Sequence, residues 1–242
     1  MHFLPRHGRG HRLLPSEVNA RANIWALKSL GVTHIISVSA VGSLAEECRP
    51  GDIVVPDSII DRTTGQRPAT FFGSGAVGHV SFAEAYCPAL RQIVLQAVAA
   101  SGTGVRAHGE GALVCIEGPR FSTRAESHHY RSTGARVIGM TAMPEAVLAR
   151  EAEMAYATMA FVTDYDCWRE SEEAVSVEAV LAVLSANVDN AKKILAEAVA
   201  KLPASSRNPL FEAARYAVMT DPKLIPADTK RKLDLMYGKY WG

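Results

Sequence analysis

Ala160-Phe161-Val162-Thr163-Asp164-Tyr165-Asp166-Cys167-Trp168 closes a largely apolar run that begins at Tyr156. A short run of this kind, residues 156–162, reads as a buried strand. It ends in two carboxylates one residue apart. On an extended chain, residues i and i+2 point the same way. Asp164 and Asp166 are therefore expected to face one pocket at the carboxyl end of a strand. Ligands bind at that end in open α/β sheets. A solvated acidic strand end has the same spacing, so other parts of the chain must decide between the two.

Residues 136–140 read as a strand just upstream, and Met140 and Thr141 follow at a strand-to-helix crossing. The helix after them opens with Pro144 and Glu145, which suit a first turn. Residues 33–38 form another strand and empty into Ser39-Ala40-Val41-Gly42-Ser43. Residues 51–56 and 59–61 are strand-like, and residues 105–116 are mainly strand with a break near Gly109. Helices are expected from Ser16 to Gly31, over 88–100 and from Ser176 onward. In the first, Val18, Ala22, Trp25, Ala26 and Leu30 share a face. Residues 62–85 read as an irregular excursion, a length that usually carries function in a compact domain. Two short helical patterns, about 208–219 and 227–237, form a C-terminal extension. Strands alternating with helices imply a three-layer α/β fold around a mixed or parallel sheet. The expected organisation is a single domain over 1–242, with a core to 203 and a helical tail over 204–242.

Composition narrows the function. The chain has 242 residues, 48% of them hydrophobic, and a formal net charge of +1. No basic block points to nucleic acid or an anionic membrane. No apolar run is long enough to span a bilayer, and the first residues lack the apolar core of a signal peptide. Cys48, Cys87, Cys115 and Cys167 are widely spaced. They suggest neither a zinc site nor a disulfide framework, which fits a reducing, cytoplasmic setting. Arg6-His7-Gly8-Arg9-Gly10-His11-Arg12 can present cations and N–H groups to an anion, or be a solvated basic turn. The loop at Ser39 and Ala40 offers similar donors. Phe121, in Glu117-Gly118-Pro119-Arg120-Phe121-Ser122-Thr123, could stack on a planar ligand, although local sequence alone favours a core or hinge role. His79 lies in the 62–85 excursion, where a lone histidine is usually structural.

Several segments together resemble the methylthioadenosine phosphorylase branch of the purine nucleoside phosphorylase superfamily. They are Pro5-Arg6-His7-Gly8, residues 18–28 (VNARANIWALK), residues 40–44 with 50–54, residues 116–127 (IEGPRFSTRAES), residues 140–145 and residues 163–177 (TDYDCWRESEEAVSV). The last block is the most specific. The resemblance implies a three-layer phosphorylase fold with a mixed central sheet. It also implies a reaction in which 5′-methylthioadenosine and phosphate give adenine and 5-methylthioribose 1-phosphate, in purine and methionine salvage. Inorganic phosphate is then a co-substrate, and neither cofactor nor metal is implied.

By the same resemblance, Arg6, His7, Ser39, Ala40 through its N–H, and Thr141 are phosphate ligands. Met140 packs on the ribose and Phe121 lies along the base. Asp164 and Asp166 read the adenine, with Asp166 as the proton donor to N7, Asp164 supporting it and Thr163 adding a hydrogen bond. Val177 and Val180 become an apolar wall for the 5′-methylthio group. His79 and Met219 are expected from a neighbouring subunit of a homotrimer. Two departures stand out. The glycine-rich GGSG-like phosphate loop of the branch has no counterpart, so the chain is expected to start about fifty residues into the family pattern. That implies either a start assigned too late or a short form with weakened phosphate binding. Gly139 stands where many relatives have Asn. Competing expectations are a phosphorylase for methylthioinosine or ordinary purine nucleosides, and a catalytically impaired purine-binding subunit. Nucleoside hydrolysis lacks the calcium-binding aspartate cluster it needs.

Overall fold

The computed structural model describes residues 1–169, 177–203 and 208–241, and the side chains of the last long helix from residue 187 on. In chain order the elements are α1 (Ala20–Ser29), β1 (His34–Ser43), β2 (Ile53–Val54), β3 (Ser58–Arg62), α2 (Pro88–Ala100), β4 (Ala107–His108), β5 (Ala112–Ile116), α3 (Arg124–Ser132), β6 (Val137–Gly139), α4 (Ala142–Glu151), β7 (Ala155–Asp164), α5 (Val177–Ala200) and α6 (Ala227–Tyr237). The strands lie in the order β3-β5-β6-β1-β7-β2-β4. β1/β7, β2/β4, β3/β5 and β5/β6 are parallel, whereas β1/β6 and β2/β7 are antiparallel. This is the expected mixed sheet, flanked by helices and followed by a helical extension.

β7 explains the layering. Every residue from Ala155 to Thr163 is buried. Successive side chains alternate between the two faces. Ala155, Ala157, Met159 and Phe161 pack with Leu90 and Val94 of α2 and Ile194 of α5. Tyr156, Ala160 and Val162 pack on the opposite face with Ile24 of α1 and Ala146 and Ala149 of α4. A strand covered on both faces reads as a continuous apolar run, not an alternating one. Full burial of a side chain such as Phe161 stabilises by roughly 1.5–3 kcal/mol.

β1 is unevenly partnered. It runs beside β7 from His34 to Gly42, but meets β6 only at Gly42 and Ser43. Among the described residues, no strand lies along the other edge of residues 34–41. A long trough follows that edge, floored by β1 and walled by Leu27 and Leu30 on one side and Leu195, Val199 and Leu202 on the other.

Three local expectations change. α1 is capped by Asn19, whose side chain accepts from the Ala22 N–H, and not by Ser16. Its buried positions are Ala20 and Ile24, while Trp25 and Leu30 are exposed. Two large apolar residues on the outer face misled the periodicity. The 208–219 pattern is a short 3₁₀ turn, Pro209–Glu212, followed by turns and a β-bridge at Val218. The strand expected over 33–38 runs on to Ser43, so Ser39 and Ala40 lie within β1, paired with Ala160 and Phe161 of β7, and not in a loop.

Candidate active site

The trough along β1 is continuous with the space at the ends of β6 and β7, and together they form a cavity of about 1510 Å³. Arg6, His7, Ser39, Ala40, Phe121, Met140, Thr141, Thr163, Asp164 and Asp166 all line it. The sequence-predicted residues of the phosphate, ribose and base regions therefore share one cavity, although they come from five separate stretches of chain.

The carboxylates meet for a different reason than strand alternation. β7 stops at Asp164, and Asp166 has φ +52° in a turn. The Asp166 N–H donates to Asp164 Oδ1 at 2.7 Å. An aspartate that accepts from the backbone two residues on builds its own turn. The pair is thus held by that turn and not by an extended i, i+2 geometry. Gly42 of β1 presses against it: a Cβ there would stand 3.1 Å from Asp164 Oδ1 and 3.3 Å from Asp166 Cβ.

Burial pushes both carboxyls above the usual range, and the Asp164 charge adds to the push on Asp166. Hydrogen bonds act the other way. The Thr163 hydroxyl donates to Asp164 Oδ2 at 2.6 Å and lies 3.2 Å from the Val41 carbonyl. This bond and the one from the Asp166 N–H hold the Asp164 pKa down against part of the push from burial. Asp166 Oδ2 is buried without a partner among the described residues, and so are the hydroxyls of Ser122 and Ser127. Unpaired buried polar atoms cost about 1–3 kcal/mol each. Asp166 and Ser122 both line the cavity, so a polar ligand there can supply the missing partners.

Met140 and Phe121 stand between the two ends of the site. Met140 lies over Gly118, where a Cβ would come within 2.5 Å of its Sδ. Gly118 also has φ +69°, a backbone angle that suits glycine. Phe121 is 44% exposed at the mouth. Its loop leads into α3, which opens with a reciprocal cap between Thr123 and Glu126.

At the other end, Arg6 is held by four side chains. Its Nε and Nη2 donate to the two oxygens of Glu145 at 3.0 and 2.8 Å. Nη2 also donates to Ser37 Oγ at 2.5 Å. Nη1 faces Ser39 Oγ at 3.1 Å and Thr141 Oγ1 at 3.2 Å, and these two hydroxyls lie 3.4 Å apart. The Tyr156 hydroxyl donates to Glu145 Oε1 at 2.8 Å from the core. The His7 Nδ1–H donates to the Leu13 carbonyl at 2.8 Å, which leaves Nε2 bare, and its ring stacks on His11 at 4.2 Å. Burial pushes the His7 pKa down, so its ring is neutral near pH 7. The cluster concentrates an arginine edge and two hydroxyls at one point, a donor set that suits an oxyanion.

His79 and Met219 do not line the cavity. They are neighbours on a small ribbon instead: Gly78 bridges Val218, the His79 N–H donates to the Ala217 carbonyl, and the Met219 N–H donates to the Val77 carbonyl. Met219 is 69% exposed. Val177 and Val180 fall in the first turn of α5, and their side chains lie outside the described residues. Sequence reasoning missed Glu145, Tyr156 and Ser122. Glu145 was readable only as a helix-start acid and Tyr156 only as core. Ser122 had a signal, as a hydroxyl beside Phe121 in the loop already singled out.

This arrangement falls within a known class. Residues 2–200 match the family described as the phosphorylase superfamily. The S-methyl-5′-thioadenosine phosphorylase of Geobacter sulfurreducens is 55% identical over 99% of this chain and 83% of its own length. That of Chloroflexus aurantiacus is 56% identical over 99% and 82%. Among solved structures, a methylthioadenosine phosphorylase from an Antarctic soil metagenomic library superposes with a TM-score of 0.92 at 50% identity, covering 97% of this chain and 82% of that one. Methylthioadenosine phosphorylase from Schistosoma mansoni, in complex with adenine, gives 0.83 at 43% identity over 93% and 83%. The chain belongs to the phosphorylase superfamily and, within it, to the family of S-methyl-5′-thioadenosine phosphorylases.

Proposed function

We propose that this chain cleaves 5′-methylthioadenosine with inorganic phosphate, giving adenine and 5-methylthioribose 1-phosphate. The observation that carries the reading is the pairing of two chemistries in one cavity. A carboxyl pair with an unpaired buried oxygen stands at one end, and an arginine–hydroxyl cluster stands at the other. The names of the relatives support it.

Phosphorolysis needs both ends. As the glycosidic C–N bond breaks, positive charge builds on the ribose and negative charge on the purine. Phosphate held by Arg6, Ser39, Thr141 and the Ala40 N–H, with its own O–H donated to the bare Nε2 of His7, stabilises the first and attacks C1′. The bonding pair leaves with the purine, and a proton delivered to N7 stabilises it. The pair of Asp164 and Asp166 holds that proton, with Asp166 as the donor and Asp164 and Thr163 as its support. An ionised carboxylate of the same pair accepts from the 6-amino group, which disfavours a 6-oxopurine. Phe121 covers the base and Met140 the ribose. Val177 and Val180 form the wall for the methylthio group, where a hydroxyl would lose its water partners without replacement.

The purified chain is expected to release adenine from methylthioadenosine only when phosphate is present. No release at saturating phosphate would count against the enzyme and for a purine-binding subunit. Release without phosphate would indicate hydrolysis. A substrate panel is expected to rank methylthioadenosine above adenosine and inosine.

The same reading makes the protein a homotrimer, with His79 and Met219 closing the 5′ end of a neighbour's site. Its support is their shared ribbon, outside their own cavity, and the exposure of Met219. Sedimentation is expected to give three protomers. A fully active monomer would rule this out. The setting that best fits is the cytoplasm, in purine and methionine salvage. No helix among the described residues is long and apolar enough to cross a membrane.

A further inference from the structure

Arg67 lies in the 62–85 excursion, is 6% exposed, and does not line the cavity. Nothing in its local sequence, Gly65-Gln66-Arg67-Pro68, marks it out. Yet its guanidinium reaches four acceptors. Nη1 donates to the carbonyls of Met140 and Met143, each at 2.7 Å. Nη2 donates to the Glu117 carbonyl at 2.5 Å, and Nε to Glu117 Oε1 at 2.7 Å. The other oxygen of Glu117 accepts from the N–H and hydroxyl of Thr64, at 2.8 and 3.0 Å. The excursion is thereby fastened to the same point.

These acceptors are not scattered. Glu117 is the first residue after β5, and Met140 the first after β6. The two strand ends open into the loops that carry Phe121 and Thr141. A guanidinium is planar and presents its donors in a fixed fork, so acceptors bound to it cannot move independently. The peptide unit is also planar and trans. Turning the Met140 carbonyl toward Arg67 therefore turns the Thr141 N–H the opposite way. The Thr141 side chain, one bond further, meets Arg6 and Ser39 at 3.2 and 3.4 Å. Met140 in turn lies over Gly118, next to Glu117.

We propose that Arg67 is a positioning residue that locks the Glu117–Phe121 loop to the Met140–Thr141 loop, and so fixes the base cover relative to the anion site. It touches no reacting atom. It acts through the two backbone segments, and a lysine at this position cannot replace it. An ammonium is a compact point charge and cannot span four acceptors arranged around a fork.

The inference rests on the proposed phosphorolysis for its kinetic readout, so the test includes one that does not. Arg67→Lys is expected to speed hydrogen exchange in segments 117–123 and 139–145 together by tenfold or more, with exchange in β7 unchanged. In turnover it is expected to lower kcat/KM on the order of 10²-fold, the scale for a misplacement of about 1 Å. The KM for phosphate and for the nucleoside should both rise, because the two loops separate. A purely structural role would lower the melting temperature and leave both KM values and both exchange rates as in the parent well below that temperature. That result would overturn the proposal. Glu117→Gln keeps the three carbonyl contacts and removes the carboxylate. It should loosen the same two segments to a lesser degree, and decides the matter if the lysine variant does not fold. Exchange unchanged in both segments of Glu117→Gln would also overturn the proposal. An inactive parent enzyme would refute the phosphorolysis reading alone, and the exchange result would still judge Arg67.

Discussion

Asp166→Asn is expected to lower kcat/KM for methylthioadenosine by about 10²–10⁴-fold, the usual worth of a placed general acid, and at the same time to make the folded chain more stable. The two effects have one origin. Burial raises the folded-state pKa of Asp166 above its value in the unfolded chain. A carboxyl shifted in this direction contributes stability that is fully present below the unfolded pKa. That contribution is lost as pH rises through the folded pKa. At neutral pH and above, the buried group is therefore a burden. Asparagine removes the charge from Oδ2, which has no partner among the described residues. It also suits φ +52° better than most side chains do. The melting temperature of the variant should exceed that of the parent at pH 8, and the gap should close toward pH 4. A variant that keeps its activity, or that melts lower than the parent at pH 8, would contradict the role given to Asp166.

Arg6→Met is expected to lower both the stability of the fold and its affinity for phosphate. Glu145 points both oxygens at Arg6, and the side chains are only 14% and 10% exposed. Removing one partner of such a pair leaves an uncompensated charge and costs about 3–5 kcal/mol. For a chain of this size that is a drop in melting temperature on the order of 6–20 °C. The KM for phosphate should rise by roughly 10–150-fold, the equivalent of losing one hydrogen bond to a charged group. The double variant Arg6→Met/Glu145→Leu separates the two losses. It should recover most of the stability, because apolar replacement of a buried pair is often neutral. It should recover none of the phosphate affinity. If stability and phosphate KM return together, Arg6 is a structural residue and the anion site lies elsewhere.

The sheet was legible because its strands are buried on both faces and read as uninterrupted apolar runs. Residues 156–162 are the clearest case, and they occupy the middle of β7 as expected. The ends of β6 and β7 were legible as well, since Met140–Thr141 and Asp164 sit where polar residues interrupt those runs. The end of β1 was not: small residues from Ser39 on read as a loop, yet pairing with β7 carries the strand to Ser43. What could not be read was how side chains reach across the chain. The Arg6–Glu145 pair spans 139 positions and the Tyr156–Glu145 bond only 11, yet both depend on tertiary packing. Tyr156 looked like any core aromatic, and its hydroxyl gave no hint of an acceptor. The turn at Asp166 was hidden for another reason: an aspartate in a left-handed conformation leaves the same sequence trace as one in a strand. The ribbon that joins Val77 to Met219 defeated local reading too. Residues 208–219 have helical spacing, and pairing with a distant segment overrode it.

Burial does not separate the two ends of the site. Arg6 and Glu145 are only 14% and 10% exposed and pair with each other, and burial pushes the Asp164 and Asp166 carboxyls up. Charges at both ends lie largely out of water, where dissolved ions screen them little. Attraction for the anion and recognition of the purine should therefore both vary only weakly with the ionic composition of the medium.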